Sequence, residues 1–321
     1  MSISNLFIIG AGFTKAVFPE APLNNELLAQ VIRSKRNSTM ERVWKEYGCP
    51  DIDIEMLLTR FDLDLMTANS PFGKGEREAI SGEIADFVTR FRFREDVKWL
   101  HPFLQTILND DIIISLNYDC FLEGFLDSHE AWSPRGGYHI IEGAEVDNSP
   151  PDNPRNIRIL KIHGSESFRL VPFYDKLESM TVGTVINEEL FPVSGKNKHF
   201  GYMRDAGPNV GPSFMKQFMV ELQYLLVDAI RFAESARNLI IIGCGLRPED
   251  SYLWSVLTSF MKAPKNKRTF IVSPHASDTK EKIKKFWANR SIFTKGNLVA
   301  IDSGLESGLS RLNDALQDTP V

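Results

Sequence analysis

The side chains of this chain best placed to do chemistry stand at the ends of apolar runs. One run closes as Ser115-Leu116-Asn117-Tyr118-Asp119 and the next as Ile162-His163-Gly164-Ser165. Open α/β sheets hold their ligands at the carboxyl ends of buried strands, which is where this amide, carboxylate and imidazole fall. Imidazole is also the side chain suited to moving a proton near neutral pH. A lone histidine at a strand end is commonly structural; the company of Asn117, Asp119 and a glycine-rich turn makes His163 a catalytic candidate. Two roles stand for Asp119, ligand contact and the cap of the helix in CFLEGFLD, and both can hold together.

The glycine-rich turn is NLFIIGAGFTKAV, residues 5–17, an apolar run that ends abruptly at Gly10 and Gly12. Without a Cβ these glycines let backbone N–H groups approach a diphosphate, and the next helix presents its positive end, so a nucleotide is the expected ligand. The turn has Phe13-Thr14-Lys15 where a third glycine would complete GxGxxG, and it is not GxxxxGK[ST]; a plain strand-to-helix turn would look similar. The pattern recurs in NLIIIGCG with Gly243, Cys244 and Gly245, a second backbone seat, before Leu246-Arg247-Pro248-Glu249-Asp250 opens a helix at Ser251 with Asp250 as the expected N-cap. A further run ends in Ser273-Pro274-His275, where Ser273 can meet an adenosine ribose and His275 is read as surface.

Positioning these groups requires a sheet. Ile- and Val-rich runs at 6–9, 111–116, 157–162, 238–242, 269–273 and 298–301 are separated mostly by segments of helical period. Most lack the alternation of a half-exposed strand, which predicts burial by helices on both faces: a Rossmann-like, doubly wound, mainly parallel α/β sheet within one domain spanning 1–321. Residues 20–108 read as a mainly helical insertion between the first two strands, including DIEMLLTRFDLDLM and a long amphipathic stretch from Glu76 to Leu108. Asp53 is placed to cap the first of these, with Met56, Leu57, Phe61 and Leu65 as core. Residues 165–237 read as an irregular insertion followed by a helix from Phe214 to Ala236; its Gly- and Pro-rich part from Pro172 to Pro212 fits a lid or partner surface and equally a surface excursion.

Composition narrows the class. With 43% hydrophobic and 25% charged residues in 321, the chain has the make-up of a globular protein, and a net charge of −5 carries no footprint for direct nucleic-acid binding. No apolar run reaches membrane-spanning length and no secretion signal opens the chain, so a cytoplasmic location is expected. Cys49, Cys120 and Cys244 form no CxxC pair and are read as core thiols.

In order, GAGFT, SLNYD, KIHG, IIGCG and IVSP resemble the motif series of the sirtuin catalytic core. The resemblance implies that Ala11, Gly12 and Thr14 contact the diphosphate of NAD, Asn117 a nicotinamide ribose or water, Asp119 the carboxamide and His163 ribose hydroxyls, with Gly243 and Ser273 reaching the adenosine half. Two departures matter. Residues 164–237 contain no cysteine where sirtuin deacylases carry a four-cysteine zinc module, and Ala21-Pro22-Leu23-Asn24 stands where their Pro-Asp-Phe-Arg supplies an arginine. The zinc-free set is similar to the sirtuin-like NADases of prokaryotic antiphage systems. That resemblance implies NAD as substrate, no zinc, Asn117 and His163 as catalytic residues, and Gly10, Ala11, Gly12, Phe13, Thr14, Asp119, Gly243, Cys244, Gly245 and Ser273 as the binding set. It also implies a homo-oligomer, with no obvious sensor domain of its own and a DNA-translocating ATPase or short Argonaute as possible partner. The competing readings are an NAD-dependent deacylase or ADP-ribosyltransferase, and a non-catalytic NAD- or ADP-ribose-binding assembly module.

Overall fold

The computed structural model describes residues 4–48, 51–67, 70–92, 94, 97–138, 141–142, 145–146, 155–174, 180–186, 207–210, 220–262, 267–287 and 297–317. β1 (Asn5–Ile9) runs into α1 (Ala11–Val17), then come α2 (Asn24–Ser34), α3 (Thr39–Tyr47), α4 (Ile54–Met66), α5 (Lys74–Val88) and α6 (His101–Thr106) before β2 (Ile112–Ser115). α7 (Phe121–Ser128), α8 (Pro134–Gly137) and the short pair β3 (Ile141–Glu142) and β4 (Glu145–Val146) lead to β5 (Arg158–Lys161). β6 (Gly164–Tyr174), β7 (Met180–Ile186), β8 (Gly207–Val210) and α9 (Val220–Ser235) follow. The chain then alternates β9 (Asn238–Ile242), α10 (Ser251–Met261), β10 (Arg268–Ser273), α11 (Ala276–Phe286), β11 (Leu298–Asp302) and α12 (Leu305–Gln317).

All six apolar runs become the strands of one parallel sheet, in the order β11-β10-β9-β1-β2-β5. Every residue of β1 and β2 is buried, as expected of strands covered on both faces. The chain moves outward from β1 through β2 to β5, then returns to β9 on the other side of β1. The strand order therefore reverses between β1 and β9, and such a switch point opens a crevice beyond the strand ends. Ile9 pairs with both Ser115 and Ile242, and Ser115 with Lys161. The loops after β1, β2, β5 and β9 thus leave the sheet at one level.

The helical insertion between β1 and β2 is present, divided more finely than its periodicity predicts. The stretch from Glu76 to Leu108 breaks after α5 and resumes as α6, with two 3₁₀ turns between. Pro102 sits in the first turn of α6, where its missing N–H is tolerated; further along one continuous helix it would remove a bond. Asp53 caps α4 by accepting from Met56 N at 2.9 Å, as expected. Leu57 and Phe61 are core and Leu65 packs partly against it, whereas Met56 is 49% exposed and is not core.

The part of 165–237 read as irregular contains the antiparallel sheet β7-β6-β8, which holds Pro172, Gly183, Gly207 and Pro208 on its strands. Those residues are turn signals locally, and their pairing is set by partners remote in sequence, so local pattern reading misses it. α9 supplies the expected helix; its predicted start at Phe214, like Pro192, Gly195, Gly201 and Pro212, lies outside the described residues.

The two glycine turns meet at the switch point. Gly10 N donates to Ile242 O at 3.0 Å and Gly12 N to Gly243 O at 2.9 Å. Gly243 has φ +59°, and a Cβ there would stand 2.5 Å from Phe13 N. Gly243→Ala is therefore expected to cost more than the roughly 1–2 kcal/mol of a left-handed alanine, because α1 must also move. A fall in thermal unfolding temperature together with weakened ADP-ribose binding checks it; an unchanged melting curve contradicts the packing argument.

Candidate active site

Beyond the ends of β1, β2, β5 and β9 lies a cavity of about 430 Å³. Gly10, Ala11 and Thr14 wall it on one side, Gly243, Cys244 and Gly245 on another, and Asn117, Asp119 and His163 at its floor. The helical insertion supplies the facing wall, largely apolar through Ala21, Pro22, Leu27, Val88 and Phe91. The loop Ala21-Pro22-Leu23-Asn24, singled out for lacking an arginine, lies on this wall.

Thr14 is the hub of the floor. Its hydroxyl donates to the Asp119 carboxylate, 3.0 and 3.2 Å from its two oxygens, and accepts from Asn117 Nδ2 at 3.0 Å. One proton serves the carboxylate and the lone pairs serve the amide, so the chain has a direction. Thr14 is 3% exposed. Its hydroxyl is engaged in holding Asn117 and Asp119, a use that the expected diphosphate contact did not include. Asn117 lines the cavity, and its Oδ1 is buried without a hydrogen-bond partner among the described residues. An orphaned buried acceptor costs about 1–3 kcal/mol until something donates to it.

Asp119 also accepts from Phe121 N at 3.1 Å, so it serves the first turn of α7, as one of its two expected roles has it, and it lines the cavity as well. Beneath it, fully buried Lys161 donates to Asp119 O at 2.6 Å and pairs with Glu123 at 2.8 Å. Burial works to lower the Lys161 pKa, and the neighbouring Glu123, Cys120 and Asp119 together outweigh it, so the ammonium is held above the usual lysine range. Burial pushes the Asp119 carboxyl up to about 7, against the pull of Lys161. A carboxyl raised this way adds stability that is fully present below its unfolded pKa near 3.8 and is lost as pH rises through about 7. Asp119→Asn is accordingly expected to gain stability over the parent progressively from about pH 4, most of all above pH 7, with little gain at pH 4 itself. Unfolding curves at the two pH values test this, and equal differences at both would remove Asp119 as the titrating group.

His163, 4% exposed, emerges from β5 immediately before Gly164, whose φ of +80° lets the chain turn into β6. Its Nε2 is hydrogen-bonded to the Tyr252 hydroxyl. Asn117 and His163 are not outside the core as strand-end residues often are; both are buried and both line the cavity. Burial pushes the thiols of Cys244 and Cys120 up to about 12, so both are neutral and neither is a nucleophile at physiological pH. Cys49 lies outside the described residues.

Three residues of the expected binding set are not on the cavity wall. Phe13 is fully buried with its ring 5.4 Å from that of Phe103 and 6.2 Å from that of Phe121, so it anchors α1 in the core. Gly12 faces Gly243, where a Cβ would come within 2.9 Å of that backbone, so its role is close packing of the two turns. Ser273 ends β10 and accepts from His275 N at 3.2 Å, closing a turn at the same sheet edge. Asp250 occupies the N-cap position of α10 without the expected side-chain cap bond; its carboxylate accepts from Tyr252.

The sequence did not reveal a charged contact among the residues that line the cavity. Arg247, in the loop after β9, binds Asp53 at 2.6 Å and Glu55 at 2.9 Å at the start of α4. The preceding Leu246 has φ +44°, an uncommon backbone for a branched residue, and is 1% exposed. Among the described residues, no group of three or more His, Cys, Asp or Glu side chains could hold a metal ion, and no helix is long and apolar enough to cross a membrane.

Comparison with known proteins places the chain. A SIR2 homolog in complex with NAD aligns over 98% of this chain and 89% of its own at 12% identity, with a TM-score of 0.47. A structure bearing on the mechanism and regulation of Sir2 enzymes aligns over 98% and 92%, also at 12% identity, with a TM-score of 0.42. No curated protein sequence matches. The SIR2-like domain family matches residues 111–294, more than half of the chain, from β2 and its Asn117-Tyr118-Asp119 end through His163 and the glycine turn after β9. This protein belongs to the family of SIR2-like domains.

Proposed function

We propose that this chain hydrolyses the nicotinamide–ribose bond of NAD, consuming water and releasing nicotinamide, ADP-ribose and a proton. The observation that carries the reading is the pair Asn117 and His163 lining one cavity, with the Asn117 amide oxygen buried and unpartnered among the described residues. The leaving group is already a cationic pyridinium and departs neutral, so the site needs no strong nucleophile. It needs to hold the dinucleotide, stabilise positive charge at the ribose carbon and position one water. Asn117 Oδ1 is suited to accept from that water or from a ribose hydroxyl, and His163 to take the proton. Asp119 and the apolar residues of the insertion line the same cavity, a lining suited to a carboxamide on a flat ring.

Family membership supports NAD chemistry and leaves the acceptor open. Water is favoured because the zinc module of deacylases has no cysteines to build it between residues 164 and 237. In the biological setting we favour, the chain is an antiphage effector that depletes NAD as a homo-oligomer or beside a DNA-translocating ATPase or short Argonaute. The test is incubation of the full chain with NAD, alone and with an acyl-lysine peptide, with nicotinamide and ADP-ribose followed by liquid chromatography. Stoichiometric release of both products without peptide supports hydrolysis. Consumption only with peptide points to deacylation, and tight ADP-ribose binding without turnover, even in the presence of a candidate partner, points to a binding module.

A further inference from the structure

Two histidines outside the candidate active site face each other where α6 meets α7. His101 is the first residue of α6 and His129 the C-cap of α7, and both are exposed. Their Nε2 atoms are 3.3 Å apart, and their rings stand edge to face with centroids separated by 5.2 Å. With an imidazole centroid about 1.16 Å behind its nitrogen, ring axes that converge symmetrically in one plane meet about 2.0 Å from each nitrogen, at an angle of about 110°. That length and that angle are those of two imidazoles on a tetrahedral zinc ion.

A second feature prepares the same atoms. His129 Nδ1 lies 2.8 Å from Phe125 O, and a carbonyl only accepts, so the neutral ring carries its proton on Nδ1 and its lone pair on Nε2. Ser128 Oγ, 3.1 Å from the same Nδ1, itself donates to Phe125 O and can accept from the ring. A backbone carbonyl on the far nitrogen is the contact that commonly orients a metal-bound histidine. The Phe125 ring, 4.6 Å from that of His129, packs beside it. A cavity of about 60 Å³ is lined by both histidines, with room for water. Arg94 lines it too, and its charge works against a cation, which sets the expected affinity in the micromolar range. We propose that His101 and His129 form a two-histidine site for a divalent transition-metal ion of the kind imidazole favours, zinc foremost. The ion replaces the hydrogen bond between the two Nε2 atoms, and His101 then keeps its proton on Nδ1. It ties α6, the last helix of the insertion, to α7. With two protein ligands the site is exchangeable, and water fills its remaining positions. Its place and its ligands differ from those of the four-cysteine module of deacylases, and it does not depend on the NAD-hydrolysis reading.

The experiment is calorimetric titration of the full chain, first freed of metal with a chelator, with zinc chloride. It compares the parent with His101→Gln, His129→Gln and, as a control at an exposed histidine of another element, His275→Gln. The parent is expected to bind one zinc per chain at this pair, with binding weakened at least about tenfold in each pair variant and unchanged in the control. Zinc should also raise the unfolding temperature of the parent, and this rise should vanish in both pair variants. Metal-free melting curves that match the parent establish that each variant folds. X-ray absorption at the zinc edge of the loaded parent, which needs no variant, should show two imidazoles on the metal. Parental zinc affinity in either folded pair variant, or a metal shell without imidazole, overturns the site. A parent that binds no zinc overturns it as well, and leaves a plain hydrogen bond between two imidazoles.

Discussion

Asn117→Ala is expected to reduce NAD hydrolysis by about a hundredfold or more, the scale on which one directed polar group acts in a water-poor site. The fold should survive. Asn117 Nδ2 donates to Thr14, and Thr14 keeps its own acceptor in Asp119, so no buried donor is stranded when the amide goes. Removing the side chain also removes an unpartnered buried oxygen, which offsets part of the lost contact. Stability is expected to change by no more than about 1–2 kcal/mol. The measurement is single-turnover nicotinamide release beside a melting curve. Parental turnover would take Asn117 out of the reaction, and a collapsed melting transition would make its role structural.

The second large effect is at His163. His163→Ala removes the proposed proton acceptor, and the loss expected from general base catalysis is about 10²–10⁴-fold in turnover. Its partner pair remains, since Tyr252 keeps its bond to Asp250. Binding of ADP-ribose should persist, because the glycine turns and the apolar wall of the insertion are untouched. Calorimetric titration with ADP-ribose therefore separates the two possibilities. Loss of turnover with retained binding assigns His163 to chemistry, whereas equal loss of both assigns it to holding the ligand.

Both substitutions concern residues that could be read directly from strand-end patterns, and this reflects a physical regularity. A parallel strand buried on both faces must be apolar throughout, so a polar side chain just beyond its end marks the sheet edge. That signal located Asn117, Asp119 and His163. The glycine-turn motif misled for Phe13, because the residue after such a turn can face either the ligand or the core, and only the packing of its ring beside Phe103 and Phe121 decides which. It failed also for Gly12, whose neighbour across the crevice is Gly243, more than two hundred positions away. The antiparallel sheet of β6, β7 and β8 stayed hidden for a related reason. Glycine and proline lower strand preference locally, and interstrand pairing overrides them only after distant segments meet.

Local composition and period were enough to determine the six strands of the parallel sheet, the helical insertion between the first two, the glycine turns and the polar residues at the strand ends, since each follows from what a residue and its near neighbours can bury. Tertiary structure decided the strand order and with it the switch point where the cavity opens. It also decided that Thr14 orients Asn117, that Tyr252 and Asp250 stand behind His163, and that Arg247 bridges to Asp53 and Glu55. These are contacts between segments tens to hundreds of residues apart, brought together by the packing of the whole sheet, and a one-dimensional pattern carries no trace of which distant polar groups will share a proton or a charge.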